Sequence, residues 1–394
     1  MDNMKTFKIA EQQVGGNNPT YIIAEISCNH EGNFEEAKKI IEAAANAGAD
    51  AVKIQTYTAD TITRNFGTRP KGTIWENLDL YKLYDKAQTP WEWSRDLKKT
   101  ADDNGVHFFS SPFDETAVDF LMDLDVPVLK VASFEVVDVK LLQYMAKTKL
   151  PIIISNGMTD YLEMDEAIRV LRDNGCENLS VLHCNSGYPA AFEEANLCTI
   201  PVIEKMFDVV PGLSDHTLFA DADQYGNPVA HVTPIEATKF GAKIIEVHLT
   251  LDRDYARSLF EKGEGGYDWP FSRNPEELKK MIDMIRHYEK TGEISYDTDL
   301  EKQVAERTHG RVCFEPTQKE LKSRDVRPTL WVVEDIQEGQ KFEYAATTRK
   351  GNFDSIRPGG GLHIRYADFI SNCIATRNIK AGEPLSWDMV AIED

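Results

Sequence analysis

Eight short, β-branched apolar runs punctuate the first 250 residues: Tyr21–Ser27, Ala51–Thr56, His107–Pro112, Val128–Ser133, Pro151–Gly157, Ser180–Asn185, Val209–Asp215 and Lys243–Thr250. Most gaps between them hold a stretch with helical apolar spacing. Asn33–Gly48 is apolar at 34, 37, 40, 41, 44 and 47 and ends on a glycine, which predicts a one-sided helix with a stop. The same spacing predicts helices over Trp91–Asn104, Glu115–Asp125, Val139–Thr148, Leu162–Asn174, Glu193–Phe207, Pro228–Phe240 and Pro275–Glu289. Strand and helix alternating eight times predict an α/β fold, a closed (β/α)8 TIM barrel over 1–290, with its active site at the strand C-terminal ends. Ala59–Thr89 and Leu251–Ser272 are long connections on that face, where lids and specificity loops are found.

From 291 to 327 the pattern turns polar and charged, which predicts a linker, and 328–394 reads as a small β-rich domain. Two of its segments echo each other. Glu334–Phe342 (EDIQEGQKF) resembles Arg377–Leu385 (RNIKAGEPL), which predicts two pseudo-symmetric turns. With few large apolar residues, this piece is expected to lean on another surface for stability.

The runs end on residues that can do chemistry. His216 and His248 close the seventh and eighth runs, neighbours in a barrel, and two converging imidazoles suit a divalent first-row metal. Hydrogen-bonded core histidines are the bland alternative. Asp215 is a candidate orienter of His216 or a further ligand. Lys53 and Lys130 point from the second and fourth runs toward the same mouth. A lysine there is a Schiff-base nucleophile, an anion-binding charge or a rim residue. The short neutral donors nearby, Ser111, Ser133, Ser155, Asn185 and Ser214, favour a cradle for a phosphate and a carboxylate. Glu25 and Glu135 supply carboxylates, of which one is a candidate general acid or base and the other a hydrogen-bond acceptor.

Composition sharpens this picture. The net charge of −21 argues against nucleic acid and anionic membrane as partners. It also opposes the approach of an anionic substrate, so Lys53 and Lys130 carry more weight. No apolar stretch approaches the ~20 residues of a membrane span, and Met1-Asp2-Asn3-Met4-Lys5 lacks a signal-peptide core. Six cysteines without a CxxC pair are expected to be reduced, in a cytoplasmic protein.

Residues 22–56 (IIAEISCNHEGNFEEAKKIIEAAANAGADAVKIQT) resemble the opening of the sialic acid synthase family, the nonulosonic acid synthases. The likeness continues in FFSSPFDETAVDFL (108–121), LKVASFEVVD (129–138), PIIISNGMT (151–159), CNSGYPA (184–190), GLSDHT (212–217), IIEVHLTLDR (244–253) and IRPGGGLH (356–363). LYDKAQTPWEW (83–93) is similar to the pseudaminic acid synthase branch.

The resemblance implies condensation of phosphoenolpyruvate with an N-acylated amino-sugar aldehyde, with release of phosphate, using manganese or magnesium. It implies that Lys53, Ser111, Lys130, Ser133, Ser155, Asn185 and Ser214 hold phosphoenolpyruvate, and that His216 and His248 hold the metal. Glu25 and Glu135 would be active-site acids, and Gln55, Tyr188 and Asp268 would face the sugar. The tail resembles an antifreeze-like (SAF, β-clip) domain, swapped within a homodimer in the family, so that Arg357 would reach over the other subunit's barrel. Asn156, the loop 254–270, the linker 291–315 and Gly360 depart from the usual pattern on the sugar side. Rival readings are a neuraminate or legionaminate synthase, a metal-dependent aldolase, and a sugar-binding protein without catalysis.

Overall fold

The computed structural model describes residues 5–218, 229–345 and 350–393. Its centre is a closed barrel of eight parallel strands. They are β1 (Tyr21–Glu25), β2 (Ala51–Thr56), β3 (His107–Pro112), β4 (Leu129–Val131), β5 (Ile152–Ser155), β6 (Leu179–Cys184), β7 (Val210–Asp215) and β8 (Ile244–His248), with β8 pairing back onto β1. Each lies within one residue or less of an expected run at its start. Several stop earlier, because the last residues of those runs leave the sheet to form the mouth. The strands are buried throughout apart from His107 and Gln55, as expected where helices cover the outside of a barrel whose interior is filled.

Helix α1 (Phe34–Ala47) shows why the helices form where they do. Asn33 accepts from the backbone N–H groups of Glu35 and Glu36, and Gly48 ends the helix in the left-handed region at φ 96°. Ala37, Ile40, Ile41 and Ala44 are buried against the barrel. The expected helix Glu193–Phe207 is broken. Two short 3-10 turns precede a helix over Ile200–Phe207, whose first turn holds Pro201, and Asn196 between them is left-handed at φ 45°. Of the expected helix Pro228–Phe240, Pro228 lies outside the described residues, and the rest forms a helix over Val232–Lys239.

Several elements were not anticipated. A hairpin, Thr6–Ile9 paired with Gln12–Gly15, buries Phe7, Ile9 and Val14 in the barrel's core. The stretch read as a polar linker carries helices over Asp299–His309 and Gln318–Arg324, each opened by a capping box, Thr298 with Glu301 and Thr317 with Glu320. Glu320 is buried and accepts from the backbone N–H groups of Met158 and Ser186, so this segment is built into the barrel's rim.

In the tail, β9 (Thr329–Val332) pairs with β10 (Phe353–Ile356), and β11 (Cys373–Ala375) with β12 (Val390–Ile392), all antiparallel. Its core gathers Leu330, Val332, Ile336, Phe342, Phe353 and Leu385 among others. The sequence echo is realised as mutual pairing. Ile336 and Ile379 exchange two backbone hydrogen bonds of 2.9 Å, and the two equivalent glycines, Gly339 and Gly382, are left-handed at φ 77° and 91°. As expected from its size, the tail leans on another surface. Ion pairs Lys140–Asp368 and Arg365–Glu166 and the hydrogen bond from Ser355 to Asp138 fasten it to the barrel.

Candidate active site

Strand register assembles the site. His248 lies beside Glu25, and Glu25 beside Lys53, on β8, β1 and β2. Ser214 on β7 lies beside Glu246 on β8. Because strand side chains alternate, Glu246 and His248 share a face, and both line the pit at the strand C-terminal ends.

The floor is a set of paired buried charges. Lys53 contacts the Glu25 carboxylate, donates to Ser111 Oγ at 3.2 Å and lies 3.8 Å from Glu246 Oε1. Lys130 donates to Ser155 Oγ at 2.7 Å and lies 3.6 Å from the same Glu246 oxygen, to which Ser214 also donates at 3.2 Å. Burial alone would lower the Lys53 pKa, but Glu246 and Glu25 outweigh it and hold it above the ordinary value. At Lys130 burial dominates and the pKa falls below the ordinary value. Burial would raise Glu246, yet Lys130 and Lys53 bring it down to about 2, so it is anionic at neutral pH. Two cations balanced by two carboxylates make a buried set tolerable, because no charge is left alone in low dielectric.

The imidazoles stand on one side of this floor, with ring centroids 5.3 Å apart. His216 Nδ1 faces the Asn185 carbonyl at 3.0 Å, and Tyr188 packs over the ring at 4.5 Å between centroids. His248 Nδ1 lies 3.2 Å from Asp268 Oδ2, a charge contact without good hydrogen-bond alignment. With each Nδ1 turned to protein, Nε2 is the nitrogen left for a ligand. Two such nitrogens suit a divalent first-row ion. Among the described residues no group of three His, Cys, Asp or Glu side chains is arranged to hold a metal. An ion held between these two nitrogens would need further ligands.

One cavity gathers most of the expected residues: Glu25, Lys53, Gln55, Ser111, Lys130, Ser133, Ser155, Tyr188, Ser214, His216, His248, Asp268 and Arg357 all line it. Two of the expected residues do not line it. The Asn185 side chain turns away from the cavity, donating to the Glu194 carbonyl at 3.3 Å and accepting from Gly187 N–H at 2.8 Å; its backbone carbonyl orients His216 instead. Glu135 is buried in an ion pair with Arg357 and does not line the cavity. Asp215, a candidate orienter of His216, pairs with buried Arg273 and accepts from Thr217 at 2.8 Å, so it ties the loop after β7 to the barrel. In this single chain Arg357 enters the mouth of its own barrel, where Phe134 and Phe113 flank the guanidinium at 4.4 and 5.3 Å from their ring centroids and Tyr84 Oη accepts from it at 2.7 Å.

Glu246 was missed by sequence reasoning. The signal was its place two residues before His248, which puts both on one face of the strand. The aromatic surround of Arg357 was also missed, since it is built from three distant segments.

Comparison with known proteins identifies the family. Residues 40–294 match the model of the NeuB family. The chain is 34% identical over 369 residues to the pseudaminic acid synthase of Campylobacter jejuni, covering 93% of this chain and 95% of that one. It is 32% identical over 387 residues to the N,N'-diacetyllegionaminic acid synthase of Legionella pneumophila, covering 95% and 96%. The crystal structure of the spore coat polysaccharide biosynthesis protein spsE of Bacillus subtilis superposes with a TM-score of 0.77 at 30% identity, covering 99% of this chain and 100% of that one. With the family model matched over 40–294 and relatives above 30% identical along nearly the whole chain, the chain belongs to the NeuB family.

Proposed function

We propose that the protein is a nonulosonic acid synthase, a transferase that condenses phosphoenolpyruvate with an N-acetylated amino-sugar aldehyde and releases phosphate. The observation that carries this reading is the pairing, in one cavity, of two buried lysines ringed by serine hydroxyls with two imidazoles on the adjoining strands. The product is pseudaminic acid, and the acceptor a 2,4-diacetamido-2,4,6-trideoxyhexose. The identities to pseudaminic acid synthases and the LYDKAQTPWEW segment favour this over a neuraminate or legionaminate product.

Lys53 and Lys130, with Ser111, Ser155 and Ser214, hold the phosphate and carboxylate of phosphoenolpyruvate. His216 and His248 would hold a divalent ion, manganese or magnesium, which when bound would supply Lewis-acid polarisation of the aldehyde. C3 of phosphoenolpyruvate then bonds to the aldehyde carbon, whose oxygen gains a proton and becomes a hydroxyl. Water adds at C2, and the C2–O bond to phosphate breaks to leave the keto group. Glu25, which faces the cavity, moves the proton of that water, while Glu135 holds Arg357. The lysines stabilise charge on the departing phosphate. By likeness to its family the protein would act in the cytoplasm as a homodimer with exchanged tails; in the single chain Arg357 meets Glu135 of its own barrel, and a copy's tail seated the same way would make the same contact.

The test is a panel of 2-acetamido and 2,4-diacetamido sugars with phosphoenolpyruvate and manganese, scored by phosphate release and product mass. Phosphate release that needs both substrates supports the reading. Phosphate release from phosphoenolpyruvate alone, or release with no coupled sugar product, overturns it.

A further inference from the structure

The cavity has two chemically different ends. Its floor, at the strand ends, is charged. Its outer wall comes from the segment after β2, where a helix over Leu80–Ala87 is capped by Asp79, whose side chain accepts from Lys82 N–H at 3.1 Å. Leu80, Leu83, Tyr84 and Ala87 recur at helical spacing and line the cavity, while Tyr81, Lys82, Asp85 and Lys86 face outward. Ile62 and Phe113 extend the same apolar surface. The Tyr84 hydroxyl is occupied by Arg357, so this residue offers the wall its ring.

The wall is held from behind. The tail fastens it where Arg357 N–H donates to the Ile62 carbonyl at 3.0 Å and Thr63 Oγ1 donates to the Arg357 carbonyl at 2.6 Å. Arg64 pairs with Asp354 at 3.4 Å, and Phe66 stacks on Trp331. These contacts hold Ile62 and the chain leading into the helix, and Arg357 holds the helix itself through the Tyr84 hydroxyl, so the wall is preformed and discriminates by shape and polarity without first being ordered.

We infer that the face Leu80–Leu83–Ala87 selects the far end of the acceptor sugar, accepting a C6 methyl and rejecting a C6 hydroxyl. This rests on the proposed condensation. The aldehyde carbon must sit beside the imidazoles and the lysine floor, so C6, at the other end of the open chain, is directed toward the wall. The Leu80, Leu83 and Ala87 side chains offer a hydroxyl no hydrogen bond, so on this face it loses water without replacement, whereas a methyl group keeps its contacts; the polar lining residues Thr73, Tyr267 and Ser323 belong to other segments. An apolar pocket rejects an added hydroxyl by no more than about a hundred-fold, which sets the size of the effect.

The experiment uses the full chain with manganese, phosphoenolpyruvate and two sugars of one configuration, 2,4-diacetamido-2,4,6-trideoxyhexose and its 6-hydroxy counterpart. The wild-type protein is expected to favour the 6-deoxy sugar by roughly 10–100-fold in kcat/KM. Leu83→Gln and, as a gentler change, Ala87→Ser are expected to narrow that ratio several-fold. Being a ratio within one preparation, it is unaffected by any loss of folded protein. Equal use of both sugars by the wild type, or a ratio unmoved in both variants, overturns the inference and leaves the condensation standing. Turnover of neither sugar overturns the condensation and the inference with it.

Discussion

Arg357 and Glu135, 222 positions apart in the chain, meet as a buried ion pair that joins the tail to the barrel mouth. Burial raises the Glu135 pKa, and Arg357 only partly offsets that. Removing one member of such a pair leaves a buried charge alone, at about 3–5 kcal/mol. Arg357→Ala is therefore expected to lower the urea midpoint clearly. Arg357→Lys should restore little, because an ammonium lacks the flat face that stacks on Phe134. Equal midpoints for wild type and Arg357→Ala would show that the pair contributes nothing.

Lys53→Met and Lys130→Met are each expected to cut kcat/KM for phosphoenolpyruvate by roughly 10²–10³-fold, the usual loss for one donor to developing negative charge. Ser155→Ala, which removes a neutral partner of Lys130, should cost less. Steady-state phosphate release at fixed sugar checks the order.

Among the described residues, two protein nitrogens are available to an ion in the proposed site. Manganese alone should then bind weakly, and more tightly by about ten-fold once phosphoenolpyruvate and a reduced, unreactive sugar alcohol supply further oxygens. Calorimetry measures both. His216→Ala and His248→Ala should abolish binding, and activity lost to a chelator should return on adding manganese.

Burial raises the carboxyls of Glu31 and Glu115 to about 7 from 4.5. A carboxyl whose pKa rises on folding stabilises the fold fully below its unfolded pKa, and that share is lost as pH climbs through the folded value. Stability from these two groups should thus decline between about pH 4.5 and pH 7 and beyond. Glu31→Gln, which imitates the neutral form and keeps an acceptor for the Gly266 N–H, should flatten that decline in urea midpoints.

Tail exchange has its own test. Glu25→Gln removes chemistry from the barrel, and Arg357→Ala removes the tail's contribution. If tails are exchanged, co-refolding these two inactive variants should restore part of the activity, because one site in the mixed dimer receives an intact barrel and an intact tail. A mixture as inactive as its components would show that each tail serves its own barrel.

The barrel was legible because β-branched runs and one-sided helices alternate without interruption, and because polar residues recur where those runs end. Lys53, Lys130, His216 and His248 were found that way and line one cavity. Glu246 escaped because β8 is buried along its whole length, so period-two alternation is masked by apolar neighbours on both sides. The helices over Asp299–His309 and Gln318–Arg324 escaped because their charged faces dominate their composition. Their capping boxes were the signal present in the sequence. Asn185 and Glu135 sit at the right chain positions, but loop geometry aims their side chains, and periodicity is silent about loops.

The row His248–Glu25–Lys53 ties chemistry to assembly. These groups stand level only because three strands pair in one alignment, and the barrel closes only in a matching stagger. A slip of one position would turn the reactive groups of that strand outward, against the helices, and its outward-facing apolar residues inward. A misassembled molecule would thus lose its interior along with its reactivity, so quality control that senses exposed grease would remove defective catalysts as well.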